Sequence, residues 1–150
     1  MLGRIHFINE SMPNNCNPQQ VQDHIQYLYL NSRDELLRLD VSKIVFFQAN
    51  GNYTDIVSAN KIKHTVCMNL SKTQQIISEK LSDASNRFVR IGKSLIVNMR
   101  YINQINIPHQ KLLLTDAYTF AFKVTVSKEA LRKLKDIITQ PNNKHIHKND

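Results

Sequence analysis

The sequence predicts a mainly β domain of antiparallel strands with two short helices. Three observations carry this. Short apolar runs with alternating or continuous patterning recur through the middle of the chain. Clusters of Asn, Asp, Ser, Gly and Pro separate them. Only two stretches, Ser71 to Leu81 and the one that follows Ser127, switch to the three-and-four spacing of an amphipathic helix. Such a pattern belongs to packed antiparallel sheets rather than to alternating βαβ units.

The elements follow in order. Ile25 to Leu30 alternates and places Ile25, Tyr27 and Tyr29 on one face. Asn31 to Asp34 supplies a turn, and Leu36 to Leu39 returns. Ile44 to Gln48 is a strongly apolar strand. Asn50-Gly51-Asn52 is the best turn signal in the chain, and Tyr53 to Val57 follows as the next strand. Lys61 to Met68 alternates again, with Ile62, His64, Val66 and Met68 on one side. Ser71 and Gln74 form a capping-box pair that opens the first helix, whose inner side carries Ile76, Ile77 and Leu81. Phe88 to Ile91 and Leu95 to Val97 are strands flanking a projecting bend at Gly92-Lys93-Ser94. Ile102 to Ile107, Leu112 to Thr115 and Thr119 to Val126 read as a meander, turning at Pro108 to Gln110 and Asp116 to Tyr118. Ser127 caps the last helix, whose apolar stripe is Leu131, Leu134, Ile137 and Ile138.

The chain has 150 residues, 41 % of them hydrophobic, which suits one domain with a real core and argues against wholesale disorder. The expected division is a flexible segment over 1–24, a folded domain over 25–139 and a disordered polar tail over 140–150. The first of these contains the polar, Pro-bearing run NESMPNNCNPQQ from Asn9 to Gln20. Cys16 and Cys67 make no disulfide framework, and they read as reduced thiols of a cytoplasmic protein, with Cys67 packed. No signal peptide and no apolar run long enough to cross a membrane is present.

Catalytic patterns are missing. The three glycines, at 3, 51 and 92, cannot build a phosphate-cradling loop of the usual kinds. There is no G-x-S-x-G, H-E-x-x-H or paired-cysteine motif, and His6, His24, His64 and His109 are isolated in sequence. His145 and His147 form an H-x-H with no thiol or carboxylate partner. The expectation is a protein that is not an enzyme and holds no cofactor or metal.

The charge is organised instead. Twenty Lys and Arg against twelve Asp and Glu give +8, a balance that favours nucleic acid or another anionic surface. One cluster runs through RFVRIGKSLIVNMR, with Arg87, Arg90, Lys93 and Arg100 interleaved by Ser94 and Asn98. Cations mixed with short hydroxyl and amide donors suit phosphate oxygens and base edges. A second follows the last strand. Lys123 precedes Ser127, and Lys128, Arg132 and Lys135 align on one face of the last helix, whose free N-terminal amides also favour an anion. Lys61 and Lys63 form a weaker third group.

The segment RFVRIGKSLIVNMRYINQI resembles the signature of LytTR DNA-binding domains. The matching residues are Phe88, Arg90, Lys93, Ser94, Leu95 to Val97, Asn98, Tyr101 and Ile102. DVSKIVFFQANGNYTDIV, Asp40 to Val57, is similar to the family's earlier strand and loop, and VTVSKEALRKL, Val124 to Leu134, to its closing strand and helix. The likeness runs from about Gln26 to Ile138. It implies an elongated stack of antiparallel sheets with short helices that binds duplex DNA through loops entering successive major grooves, often on paired direct-repeat sites, and bends it.

Carried over by position, the resemblance makes Asn52, Thr54, Lys93 and Lys128 the base-facing residues. Arg90, Ser94, Lys123, Ser127 and Arg132 hold phosphates. Gly92 stands where relatives often have His, and Lys93 and Lys128 where Arg is usual, which weakens bidentate reading of guanine. Asn98 is expected to cap the turn before Tyr101 rather than touch DNA. Only about 24 residues precede the first strand, too few for the receiver domain many relatives carry. The implied protein is a free-standing bacterial regulator, response-regulator-like, with a homodimer on DNA as an allowed arrangement. The alternative function is a protein-interaction module, an antagonist that sequesters a related regulator through a β-edge. Single-stranded nucleic acid would need an aromatic platform, and the chain has no Trp.

Overall fold

The computed structural model describes residues 25–81 and 85–140. Cys16, the run from Asn9 to Gln20, and the tail with His145 and His147 lie outside the described residues. The described residues form ten strands in three antiparallel sheets, together with two α-helices. The first sheet is the hairpin of β1 (Tyr27–Asn31) and β2 (Leu36–Asp40). The second has five strands in the order β5-β4-β3-β7-β6. These are β3 (Ile44–Asn50), β4 (Tyr53–Ser58), β5 (Lys63–Val66), β6 (Phe88–Ile91) and β7 (Leu95–Asn98). The third is the meander β8 (Ile102–Asn106), β9 (Lys111–Thr115) and β10 (Ala121–Thr125). Helix α1 spans Leu70–Lys80 and α2 spans Lys128–Thr139.

The five-stranded sheet is the middle layer, and this explains the continuous apolar run IVFF. Val45 and Phe46 join the core shared with the meander and α2, which includes Val97, Leu112, Leu114, Leu131 and Leu134. Ile44 and Phe47 join the core shared with the β1–β2 hairpin and α1, which includes Leu28, Ile56, Leu70 and Ile77. A strand covered on both faces has no polar side to display. Val45 and Phe46 can share one core because the pairing with β4 slips between Ile44 and Phe46. In β7, Leu95 and Val97 face one core and Ile96 the other, the regular alternation.

Asn98 ends β7 fully buried, and its carboxamide closes two accounts. Its Oδ1 accepts from the Arg100 N–H at 3.0 Å and its Nδ2 donates to the Ile44 carbonyl at 2.8 Å. The cap expected of it is therefore present, together with a tie across to β3.

The face shared by Ile25, Tyr27 and Tyr29 is the outward one, with Tyr29 46 % exposed and Leu28 and Leu30 buried. Three readings of the sequence are corrected. The cap of α1 is Asn69, whose side chain accepts from the Lys72 N–H at 2.8 Å. Ser71 is already inside the first turn, where its backbone is helical and the capping geometry is gone. Cys67 follows the end of β5 and is exposed, since Val66 takes the inward position. Ile137 is 48 % exposed, because Leu131 and Leu134 already fill the contact of α2 with the core.

Candidate nucleic-acid interface

Register decides which charges meet. In the β6–β7 hairpin, Phe88 pairs with Asn98 and Ile91 with Leu95. The basic segment from Arg87 to Arg100 is thus folded in half. Lys93 lies at the turn, while Arg87 and Arg100 flank the open end of the hairpin. In β3–β4, Asn50 pairs with Tyr53 across the two-residue turn Gly51-Asn52. Gly51 has φ +63°, the positive value a hairpin turn of the II′ kind needs at its first position. β3 is antiparallel to both β4 and β7, so the Gly51-Asn52 and Gly92-Ser94 turns project from the same end of the middle sheet. A hydrogen bond from the Ala49 N–H to the Ser94 carbonyl, 2.8 Å, ties them together.

The start of α2 joins this end. Lys93, Ser94, Gln48, Thr125 and Ser127 line one small cleft of about 130 Å³. Ser127 caps the helix, with its Oγ accepting from the Ala130 N–H at 3.2 Å. That contact uses an oxygen lone pair and leaves the hydroxyl hydrogen free to donate. Lys128 and Arg132 are exposed on α2, and Lys123 is exposed on β10 two residues before Thr125. No carboxylate of the described residues lies in ion-pair range of Lys93, Lys123, Lys128 or Arg132.

Arg90 has a structural task that its charge alone does not suggest. Its Nε donates to the Gly92 carbonyl at 3.0 Å and its Nη2 to the Lys93 carbonyl at 2.9 Å. Its Nη1 donates to Gln74 Oε1 of α1 at 2.7 Å. The guanidinium therefore clamps the turn that carries Lys93 and anchors it to a helix. Gly92 has φ +63°, and a Cβ there would meet only Ala130 Cβ at 3.9 Å. Backbone conformation, not crowding, favours glycine at this position.

Thr54 is not part of this surface, which corrects its expected base-facing place. The turn has only two residues, so Thr54 is already the second residue of β4 and points inward at 0 % exposure. Its hydroxyl donates to the Met68 carbonyl at 2.9 Å and accepts from Thr73 Oγ1 at 3.3 Å. Lys63 sits at the far edge strand β5, 3.9 Å from Asp55. Three residues at the charged end escaped the sequence reading. Gln48 and Thr125 line the small cleft, and Lys111 Nζ donates to Thr125 Oγ1 at 2.7 Å. Lys111 is remote in sequence from every other cation of the group, so only its pairing opposite Thr125 reveals it.

No described helix is long and apolar enough to cross a membrane. Among the described residues no cluster of His, Cys, Asp and Glu could hold a metal ion.

No curated protein sequence matches the chain. The fold matches a solved LytTr DNA-binding domain of a methyl-accepting/DNA response regulator from Bacillus cereus at a TM-score of 0.54 and 21 % identity. That match covers 75 % of this chain and 96 % of the other. The family model of the LytTr DNA-binding domain matches residues 34–139. On that match over most of its length, the chain belongs to the LytTR family of DNA-binding domains.

Proposed function

We propose that this LytTR domain is a sequence-specific transcription regulator that reads the major groove of duplex DNA through two turns and a helix start. One observation carries the reading. The Lys93-Ser94 turn and Ser127 line the same cleft, and the strand that leads to Asn52 is hydrogen-bonded to Ser94. Three stretches distant in sequence thereby present short polar donors and cations that no carboxylate of the described residues pairs with.

In this reading Asn52, Lys93 and Lys128 face bases. Ser94, Lys123, Ser127 and Arg132 take phosphates, helped by the N-terminal amides of α2. Lysine reaches guanine O6 and N7 as a point donor without arginine's fork, so discrimination rests on several such contacts. Arg90 fixes the turn, and any phosphate contact of its remaining N–H groups is secondary. The DNA-binding unit corresponds to residues 25–139, and it acts in the cytoplasm on paired direct-repeat sites, with two copies on the DNA.

The test is selection of bound fragments from a random duplex pool, followed by affinity measurements over a salt series. A recovered motif repeated on one face of the duplex is expected. Neutralising about 6–10 phosphates should lower affinity by ~10³–10⁵ between 50 and 200 mM salt. A pool that returns no motif, with capture of a related regulator in nuclease-treated extract, would instead favour an antagonist.

A further inference from the structure

A second basic site lies at the opposite end of the middle sheet. Ile44 pairs with Ser58 there, whereas Asn50 pairs with Tyr53 at the end with the turns. Seven residues of β3 separate the two ends by about 20 Å at the usual rise per residue. A cleft of about 1000 Å³ opens at this far end. Its walls come from β2, the residues following β4, the start of β8 and the β9–β10 turn, so all three sheets contribute. Its size is at the upper end of small-molecule sites.

The polar groups in it are unbalanced toward donors. Arg38, Lys43 and Arg100 all line the cleft and are exposed. No carboxylate of the described residues is within ion-pair range of any of them. Arg38 lies over the Tyr27 ring at 4.5 Å and Arg100 over Tyr101 at 5.7 Å, contacts that orient a guanidinium without neutralising it. The two acids of the cleft are already occupied. Asp40 Oδ1 accepts from the Ser42 N–H at 3.0 Å and the Ser42 hydroxyl at 2.8 Å. Asp116 accepts from the Thr119 hydroxyl and from the N–H groups of Tyr118, Thr119 and Phe120. Both carboxylates shape their turns and keep their charge, and the three cations that line the cleft outnumber them.

We propose that this cleft binds a small phosphate-bearing anion, held by Arg38, Lys43 and Arg100. A phosphate group brings up to two charges and three strong acceptor oxygens, the complement of two guanidiniums and an ammonium. Tyr118, 91 % exposed on the β9–β10 turn, adds an aromatic face at the rim for the organic part of the ligand. The proposal does not rest on the DNA-reading role of the other end.

The test uses the full chain with inorganic pyrophosphate as the probe, followed by calorimetry and by backbone amide shifts. Saturable binding is expected, with shifts at Asn60 and at Ala117 to Thr119. Lys43→Ala and Arg100→Ala should each weaken it about tenfold, the loss of one charge-assisted contact. Lys128→Ala should leave it unchanged. Circular dichroism checks that each variant folds, and Lys43, at an exposed turn, serves where Arg100→Ala unfolds. No saturable binding, or binding lost in Lys128→Ala but kept in Lys43→Ala, overturns the proposal. Duplex DNA affinity should survive Lys43→Ala. A fall as large as that of Lys128→Ala would assign the cleft to the DNA interface and overturn it equally. Failure of every duplex to bind would remove the DNA reading and leave this site standing.

Discussion

Replacing Arg90 separates two roles that its charge alone confounds. As a phosphate contact, Arg90 would be largely replaceable by lysine, which keeps the charge. As a clamp it would not, because lysine cannot reach the Gly92 carbonyl, the Lys93 carbonyl and Gln74 Oε1 together. The two bonds to the turn set the magnitude. Hydrogen bonds to a charged group contribute ~1.5–3 kcal/mol each when sheltered, and Arg90 is partly solvated, so about 1–3 kcal/mol for the pair is a fair discount. Without the clamp, DNA must order the turn itself, at ~1 kcal/mol or more per residue fixed. We expect Arg90→Ala and Arg90→Lys to lose about 10–100-fold in affinity for the selected duplex, with random duplex nearly unaffected by Arg90→Lys. Fluorescence anisotropy against both duplexes, with thermal unfolding as a control, reads this directly. Wild-type specific affinity in Arg90→Lys would refute the clamp and return Arg90 to the phosphate contacts.

Other predictions follow from the same geometry. Lys93→Ala and Lys128→Ala should each reduce discrimination between selected and random duplex by ~1–3 kcal/mol, whereas Arg132→Ala should weaken both alike and flatten the salt dependence by about one phosphate. Competition binding at two salt concentrations distinguishes these outcomes. Thr54→Ala should leave the ratio of specific to random binding unchanged while costing ~1–3 kcal/mol in urea unfolding, since it strips the partner of the part-buried Met68 carbonyl. Asn98→Ala removes both the cap and the tie to Ile44, and a loss of ~2–4 kcal/mol is expected in the same assay. Asp116 is held well below its ordinary 3.8, first by the Thr119 hydroxyl and then by backbone N–H groups. A depressed carboxyl stabilises the fold above its unfolded value and loses that contribution as pH falls through the folded one. Asp116→Asn should therefore be less stable than wild type above about pH 4, with the gap closing in stronger acid. A gap that is constant down to strongly acidic pH would contradict the assigned cause.

The fold was legible wherever local chemistry and tertiary demand agreed. Asn50-Gly51-Asn52 reads as a hairpin turn because a positive φ is needed there and glycine supplies it. Ser127 caps α2, and Asn98 caps the turn before Tyr101, because a short polar side chain ahead of a helical turn has little else to do. Reading failed where two candidates competed locally or where partners were distant. Ser71 and Asn69 both fit a helix cap, and only the backbone decides for Asn69. Cys67 is an apolar residue by type, yet strand phase turns it out. Thr54 took its base-facing place from the resemblance alone, although the strand expected from Tyr53 already contained it. Arg90 looked like a free cation because Gln74 is sixteen residues away. For the same reason the convergence of Lys93 with Ser127, and the join of Lys111 to Thr125, could not be read from spacing. They depend on sheet pairing, which places residues by register and not by proximity in sequence.

The central claim is that the turn at Lys93 and the start of α2 enter the major groove together. Interference by guanine N7 methylation on the selected duplex tests it most directly, because that methyl group blocks only the major-groove edge. Methylated guanines within the motif should abolish binding by the wild type, and Lys93→Ala or Lys128→Ala should each become indifferent to methylation at one position. Binding that tolerates every methylated guanine, but is blocked by a minor-groove ligand, would contradict the account.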